Sequence, residues 1–134
     1  MNEQEKIRID LFEQQLVDNN LAFIMMNYAF GGDFGQLKTE YLNGLPQTLK
    51  LLSDFLSEHQ YFAGDNLSYV DFLAYEFIDK HIMFAGDVVK QFNNLIEFHS
   101  RFEKLPNIDK YIKSDKFLKW PINSDMAKWG SRLN

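Results

Sequence analysis

The chain has 134 residues, of which 46% are hydrophobic and none is cysteine, and its formal net charge is −5. The apolar side chains, thirteen phenylalanines among them, are enough to build one folded core, which excludes a disordered chain. The absence of cysteine excludes disulfides, thiolate metal sites and a cysteine nucleophile. We therefore expect a single domain over residues 1–134.

Membrane and nucleic-acid binding are both disfavoured. No run of about 18 apolar residues could span a membrane, and the polar residues 1–6 lack the features of a signal peptide. Four acidic and eight basic side chains lie in residues 100–134. The chain as a whole is nevertheless acidic, which opposes attraction to phosphates. We expect a cytoplasmic protein that binds neither membrane nor nucleic acid.

The first predicted element is a long amphipathic helix over residues 6–28. Its apolar side chains recur at spacings near multiples of 3.6 and form two stripes. The first stripe consists of Ile9, Phe12, Leu16, Phe23 and Met26, and the second of Val17, Leu21, Ile24 and Tyr28. Because only one stripe is needed to face a helical bundle, we expect the second to be covered by something else.

The remaining pattern is also helical. Gly31-Gly32 ends the first helix, and further helices are predicted at residues 36–58, 68–84, 92–104 and 108–113. Pro46 predicts a kink or break near residues 44–46, and a short helix followed by an extended tail is predicted in residues 114–134. No alternation typical of strands occurs. The fold class is therefore all-α, a bundle of about five to six helices.

Ser68 and Asp71 mark the clearest helix start in the chain. A serine at the N-cap can accept from the backbone N–H three residues later, and the Asp71 carboxylate can reach back to the Ser68 N–H. A catalytic Ser–Asp pair is the alternative, but no histidine accompanies the two at a readable spacing. We interpret them as a structural cap.

No pattern in the chain indicates metal or nucleotide chemistry. His59, His81 and His99 belong to no zinc-binding motif, and the Asp79-x-His81 pair alone is weak. We expect no metal site and no cofactor. From the residues alone, Asp18 belongs to a solvated helix face and Tyr28 is an aromatic residue of the core or its rim, so no reaction follows.

Residues 64–75, with the sequence GDNLSYVDFLAY, resemble the capping-box helix of glutathione transferase C-terminal domains, and the VDFLAY form is most similar to the mu class. Further resemblances follow in chain order and cover nearly the whole chain: residues 5–10, 33–38, 41–42, 45–46, 100–103, 108–114 and 128–130. The Trp120-Pro121 tail is more similar to invertebrate members.

The resemblance implies an enzyme that adds the thiolate of its co-substrate glutathione to small hydrophobic electrophiles. In that family an N-terminal thioredoxin-like domain binds glutathione. We expect that domain to be absent from this chain, which would then not bind glutathione and would be inactive alone. The helix face that should pack on it would expose apolar surface, so self-association is expected.

The resemblance also implies roles for individual residues. Val17, Leu21, Ile24 and Tyr28 match the wall of the electrophile pocket, and the Tyr28 hydroxyl matches one that assists at the electrophile by hydrogen bonding to developing negative charge. Asp18 matches an aspartate that reaches across the dimer toward the glutathione amino group. Ser124 matches a position in the C-terminal tail of the family that lines the electrophile pocket.

Two non-enzymatic functions remain open beside this one. The chain could be a stand-alone module for protein–protein assembly, by analogy with transferase-like helical domains in other complexes. It could also be a small-molecule binding protein that keeps the hydrophobic pocket without the chemistry.

Overall fold

The computed structural model describes all 134 residues and contains five helices and no strand. The helices are α1 (Glu3–Asn27), α2 (Phe34–Leu56), α3 (Tyr69–Val89), α4 (Asn93–Glu103) and α5 (Pro106–Ile112). The prediction of an all-α bundle is confirmed. No helix combines the length and the apolar character needed to cross a membrane.

The core lies between α1, α2, α3 and α4, and α3 packs against each of the other three. Phenylalanine rings fill its centre: Phe12 stacks on Phe62 with the ring centroids 4.2 Å apart. All five residues of the first predicted stripe of α1 are buried, so that stripe is the one that faces the bundle. Helix α2 also contacts the other three, so α2 and α3 share the centre of the bundle, although Phe72 and Leu73 of the largely apolar α3 remain 45% and 36% exposed.

Helix α1 begins three residues before its predicted start. Asn2 caps it: the Glu5 N–H donates to Asn2 Oδ1 at 2.8 Å, and the Asn2 N–H donates to Glu5 Oε2 at 3.0 Å. This reciprocal pair satisfies two backbone N–H groups at the helix start that would otherwise have no partner. The polar residues at the beginning of the chain therefore include the capping box of α1.

Of the kink or break predicted near Pro46, the break is absent, because α2 is one helix from Phe34 to Leu56. A proline inside a helix costs about 3 kcal/mol. Burial of Leu45, Leu49 and Leu52 stabilises α2 on both sides of it, and each buried leucine contributes about 1.5–3 kcal/mol. Tertiary packing thus outweighs the local preference of the proline.

The predicted ends of α3 and of the chain need correction. The backbone of α3 is non-helical at Ala85, next to the predicted end, but the helix resumes and continues to Val89. The short helix predicted in residues 114–134 is wrong, since this tail consists of turns and bends. Its backbone groups bond to Asn27 and Gly130, so the tail is ordered by contacts outside a helix.

The start of α3 is held by a buried carboxylate. Asp71 is fully buried, and its two oxygens accept the backbone N–H groups of Phe62 and Ser68, each at 2.8 Å. Ser68 and Asp71 form the capping box of α3. Because Asp71 also binds Phe62, it attaches the loop before α3 to the helix start.

We expect Asp71→Asn to lower the free energy of unfolding by about 1–3 kcal/mol. An amide has one acceptor oxygen, so one of the two backbone N–H groups would face an NH₂ group and lose its partner. Urea unfolding measures the change. Asp65→Asn removes an exposed acid nearby and should change stability by less than about 0.5 kcal/mol. Equal stability of both variants would contradict this account of the α3 cap.

Candidate functional site

The second stripe of α1 is exposed. Val17, Leu21 and Ile24 are 51%, 53% and 41% exposed. Met25 and Phe30 extend the apolar surface at 47% and 57% exposure. A contiguous apolar surface of this kind is typical of a binding site or an interface. Any partner that covers the stripe must therefore come from outside this bundle.

Tyr28 lies at one end of the stripe, where α1 ends. Its hydroxyl oxygen is 3.1 Å from Ser124 Oγ and accepts the Ser124 N–H at 3.4 Å. The Phe30 ring stacks on the Tyr28 ring with centroids 6.0 Å apart. Since the backbone N–H supplies one bond to the phenol oxygen, the Tyr28 proton is available for Ser124 Oγ or for a ligand. The structure thus brings two of the predicted site residues together.

Ser124 reaches Tyr28 because a buried asparagine anchors the tail. Asn27 is fully buried; its Oδ1 accepts the Trp129 N–H at 2.8 Å, and its side-chain amide donates to the Trp129 carbonyl at 3.1 Å. Its own carbonyl accepts the Lys128 N–H at 2.8 Å. Asn27 was not predicted from the sequence as a site residue. The only signal was a polar residue on the buried stripe side of α1, next to Tyr28.

The tail turns back on itself at Gly130. The carbonyl of Gly130 accepts the N–H groups of Ile122 and Asn123, both at 2.8 Å. Gly130 has a φ of +78°, and a Cβ there would lie 2.7 Å from Asn123 Nδ2. Only glycine fits this conformation and this close approach without displacing Asn123. The turn keeps the segment around Ser124 folded against the end of α1.

Asp18 lies apart from the Tyr28–Ser124 pair. Its carboxylate is exposed and accepts only from Gln14 Nε2, at 3.2 Å. Asp18 follows Val17 on α1, so it borders the stripe at the end opposite Tyr28. Within this chain it has no basic partner, which leaves the carboxylate free to bind a cationic group.

Asp79 and His81, a pair too weak in the sequence to indicate a metal site, point to different environments. His81 is fully buried, donates from Nδ1 to the Phe77 carbonyl at 2.6 Å, and accepts from the Tyr41 hydroxyl on Nε2 at 2.6 Å. Burial lowers the pKa of His81 to about 3 and raises that of Tyr41. His81 is therefore a neutral, structural histidine.

Asp79 instead faces His99 on α4. His99 Nε2 lies 2.8 Å from Asp79 Oδ1 and 3.5 Å from Glu103 Oε1, and the Tyr75 hydroxyl donates to the same Glu103 oxygen at 2.7 Å. One ligand atom from each of Asp79, His99 and Glu103 lies within 4.8 Å of the others, a spacing that could hold a metal ion. The same contacts also join α3 to α4 without one.

A separate apolar groove lies on the other side of α1. It has a volume of about 250 Å³ and is lined by Leu11, Phe12, Gln15, Leu51, Leu52 and Phe55. Leu11 and Leu51 are 63% and 48% exposed, so the groove is open to solvent. The groove could not be predicted from the sequence, because it is formed by residues of two helices about 40 positions apart.

We expect Asn27→Ala to detach the tail while leaving the bundle folded. The substitution removes both side-chain bonds to Trp129, and each lost bond to a buried group costs about 1–3 kcal/mol. Hydrogen exchange of residues 122–131 should accelerate roughly tenfold or more. Exchange in α3 should not change, which serves as the internal control. Unchanged protection of the Trp129 amide would mean that Asn27 does not anchor the tail.

Comparison with known proteins assigns the fold to a family. A family model described as glutathione S-transferase, C-terminal domain, matches residues 19–115. Glutathione S-transferase Mu 1 of Homo sapiens is 44% identical over 130 residues, which are 97% of this chain and 59% of that protein. Glutathione S-transferase Mu 1 of Oryctolagus cuniculus is 43% identical over 127 residues, which are 95% of this chain and 57% of that protein.

A solved structure agrees with the sequence relatives. The crystal structure of the glutathione S-transferase Blo t 8 superposes with a TM-score of 0.85 at 30% identity, covering 97% of this chain and 62% of that chain. The chain thus spans less than two thirds of the length of each of these relatives. It belongs to the glutathione S-transferase C-terminal domain family and is homologous to the corresponding domain of the mu-class enzymes.

Proposed function

We propose that this chain forms the electrophile-binding wall of a mu-like glutathione transferase. The observation that carries the proposal is the exposed stripe of Val17, Leu21 and Ile24, which ends at a tyrosine hydroxyl held by Ser124. Apolar side chains with a few placed polar groups are typical of small-molecule sites. A hydrophobic electrophile would lie along the stripe with its reacting end near Tyr28.

Tyr28 would stabilise negative charge that develops on the electrophile as the glutathione sulfur attacks. Its oxygen already accepts from the Ser124 N–H, so its proton can be donated to the ligand. A donor fixed before the reaction stabilises the transition state more than one that must reorient. Ser124 is then a positioning residue, and the Asn27 anchor determines whether it stays in place.

Glutathione itself would be bound by a thioredoxin-like domain, as the family resemblance implies. The names of the relatives give glutathione as their substrate, and this chain aligns with less than two thirds of their length. In the proposed enzyme, Asp18 of one subunit binds the glutathione amino group held by the other. Its exposed carboxylate without a basic partner is consistent with that role.

The groove between α1 and α2 would contribute to the dimer. Its exposed Leu11 and Leu51 and its volume of about 250 Å³ suit an apolar side chain inserted by the second subunit. Such an insertion would bury apolar surface on both partners, which favours association. The groove and the stripe lie on different faces of α1, so ligand and subunit would not compete.

Two proteins test the proposed division of labour: the chain alone, and a hybrid in which it replaces the matching part of human glutathione S-transferase Mu 1. The chain alone should not conjugate glutathione to 1-chloro-2,4-dinitrobenzene at any protein concentration, whereas the hybrid should. Activity of the chain alone would contradict the division of labour. A folded but inactive hybrid would favour a stand-alone ligand-binding or assembly module.

In the hybrid, we expect Tyr28→Phe to lower kcat roughly tenfold, because a lost hydrogen bond of about 1.4 kcal/mol in the transition state corresponds to that factor. Tyr111→Phe removes an exposed hydroxyl on α5 and is the matched control, with kcat expected to stay within about twofold. Equal activity of the two variants would remove Tyr28 from the mechanism.

The dimer role is tested by Leu51→Glu, which places a charge in the groove. We expect it to weaken the hybrid dimer at least tenfold, since burying a polar group without a partner costs about 1–3 kcal/mol or more. Sedimentation velocity over a range of concentrations measures the change. Leu118→Glu alters an exposed leucine of the tail and should leave the dimer intact. A stable dimer of the Leu51 variant would exclude the groove from the interface.

A further inference from the structure

Lys80 is a partly buried ammonium group at the contact between α3 and α1. Its Nζ donates to Asn20 Oδ1 at 2.8 Å and lies 4.5 Å from the ring centroid of Phe23 and 5.6 Å from that of Phe77. Both rings are buried. The ammonium group therefore rests on the edge of the core, with one of its three N–H donors directed to α1.

No ion pair compensates this charge. None of the ion pairs in the chain includes Lys80. The acid that influences it is Glu76, one turn earlier on α3, and burial outweighs that influence and lowers the pKa of Lys80 to about 8. The neighbouring His81 is neutral. A cation removed from water without a counter-ion is costly, and the two aromatic faces offset only part of the cost.

The position of Lys80 connects it to the exposed stripe. Asn20, its hydrogen-bond partner, lies three residues after Val17 and four before Ile24, so the three are neighbours on the surface of α1. Asn20 and Lys80 are both partly exposed. The ammonium group thus borders the stripe on its α3 side, away from Tyr28. An apolar surface with a cation at one edge is complementary to an apolar compound that carries an anionic group.

We propose that Lys80 and Asn20 form an anion subsite beside the stripe, and that the ligands of this site are hydrophobic organic anions such as aryl carboxylates or sulfonates. This inference rests on the proposed role of the stripe as the electrophile wall and narrows the class of electrophile. The apolar part of the ligand contacts Val17, Leu21 and Ile24. Its anionic group accepts from the two N–H donors of Lys80 that Asn20 leaves free, and such charge-assisted bonds are the stronger kind.

The test compares two dyes that share an aryl frame and differ in charge. 1-Anilinonaphthalene-8-sulfonate is the anionic probe, N-phenyl-1-naphthylamine is the neutral one, and both are titrated against the purified chain by fluorescence. We expect Lys80→Met to weaken the anionic dye roughly tenfold or more, the factor that about 1.4 kcal/mol represents, and to change the neutral dye less than twofold. Retained neutral-dye binding also shows that the variant folds.

Lys38→Met is the matched control. Lys38 also lies over an aromatic ring, 5.5 Å from the Phe84 centroid, and its loss changes the net charge equally. An equal weakening of the anionic dye in both lysine variants would assign the effect to net charge and overturn the anion subsite. Unchanged anionic-dye binding in Lys80→Met would overturn it as well.

A further variant separates this inference from the proposed function. Leu21→Gln changes the stripe without adding charge, and Leu51→Gln changes the groove in the same way. If Leu21→Gln abolishes binding of the neutral dye and Leu51→Gln does not, the stripe is supported as the ligand wall. This conclusion does not depend on how Lys80→Met changes binding of the anionic dye. Neutral-dye binding unaffected by Leu21→Gln would overturn the wall, and with it the anion subsite as the inference defines it.

Discussion

Burial of one face of α1 against α2 and α3 is the constraint on which the other features depend. Phe12, Leu16 and Phe23 are almost completely buried on that face. Since the helix is rigid, fixing this face also fixes the direction in which every other α1 side chain points. The stripe that ends at Tyr28 is held outward for this reason, and the groove with Leu51 opens on the other side. The packing of this one helix face therefore places both the stripe and the groove on the surface of the bundle.

The hydroxyl pair at the end of the stripe depends on a second, polar constraint. Asn27 and Trp129 are separated by 102 positions and exchange two hydrogen bonds in a buried environment. A buried amide without partners would be costly, so the native tail position is the one in which both of its groups are satisfied. That position brings Ser124 to the Tyr28 hydroxyl, which means that a structural amide determines the geometry of a candidate catalytic group.

In the second half of α3, consecutive polar side chains point into different environments, and one of them is neutral while the others are charged. His81 points inward, where burial keeps it neutral and bonded to Tyr41. Lys80, its neighbour, points along the α1 contact and keeps a charge without a counter-ion, while Asp79 faces His99 on α4. Three consecutive residues thus meet three environments, as helical geometry requires. Only the middle one lies beside the apolar stripe, where a charge can influence which ligands bind.

The sequence by itself determined the helices, their approximate ends and the two stripes of α1, because these features depend on residues only three or four positions apart. The start of α3 was readable from Ser68 and Asp71 for the same reason, whereas the equivalent cap at Asn2 and Glu5 was overlooked although it was just as local. The family resemblance supplied the roles proposed for Tyr28, Ser124 and Asp18.

Only the tertiary structure decided which stripe is buried along its whole length, that α2 continues through Pro46, and that the tail is ordered without forming a helix. It also decided that Lys80 meets Asn20, 60 positions away, and that Leu11 and Leu51 line one groove. The physical reason is that the spacing of apolar residues predicts which faces a helix has, but not which other element each face packs against. A partner is chosen by the packing and hydrogen bonding of the whole chain, to which residues distant in sequence contribute equally.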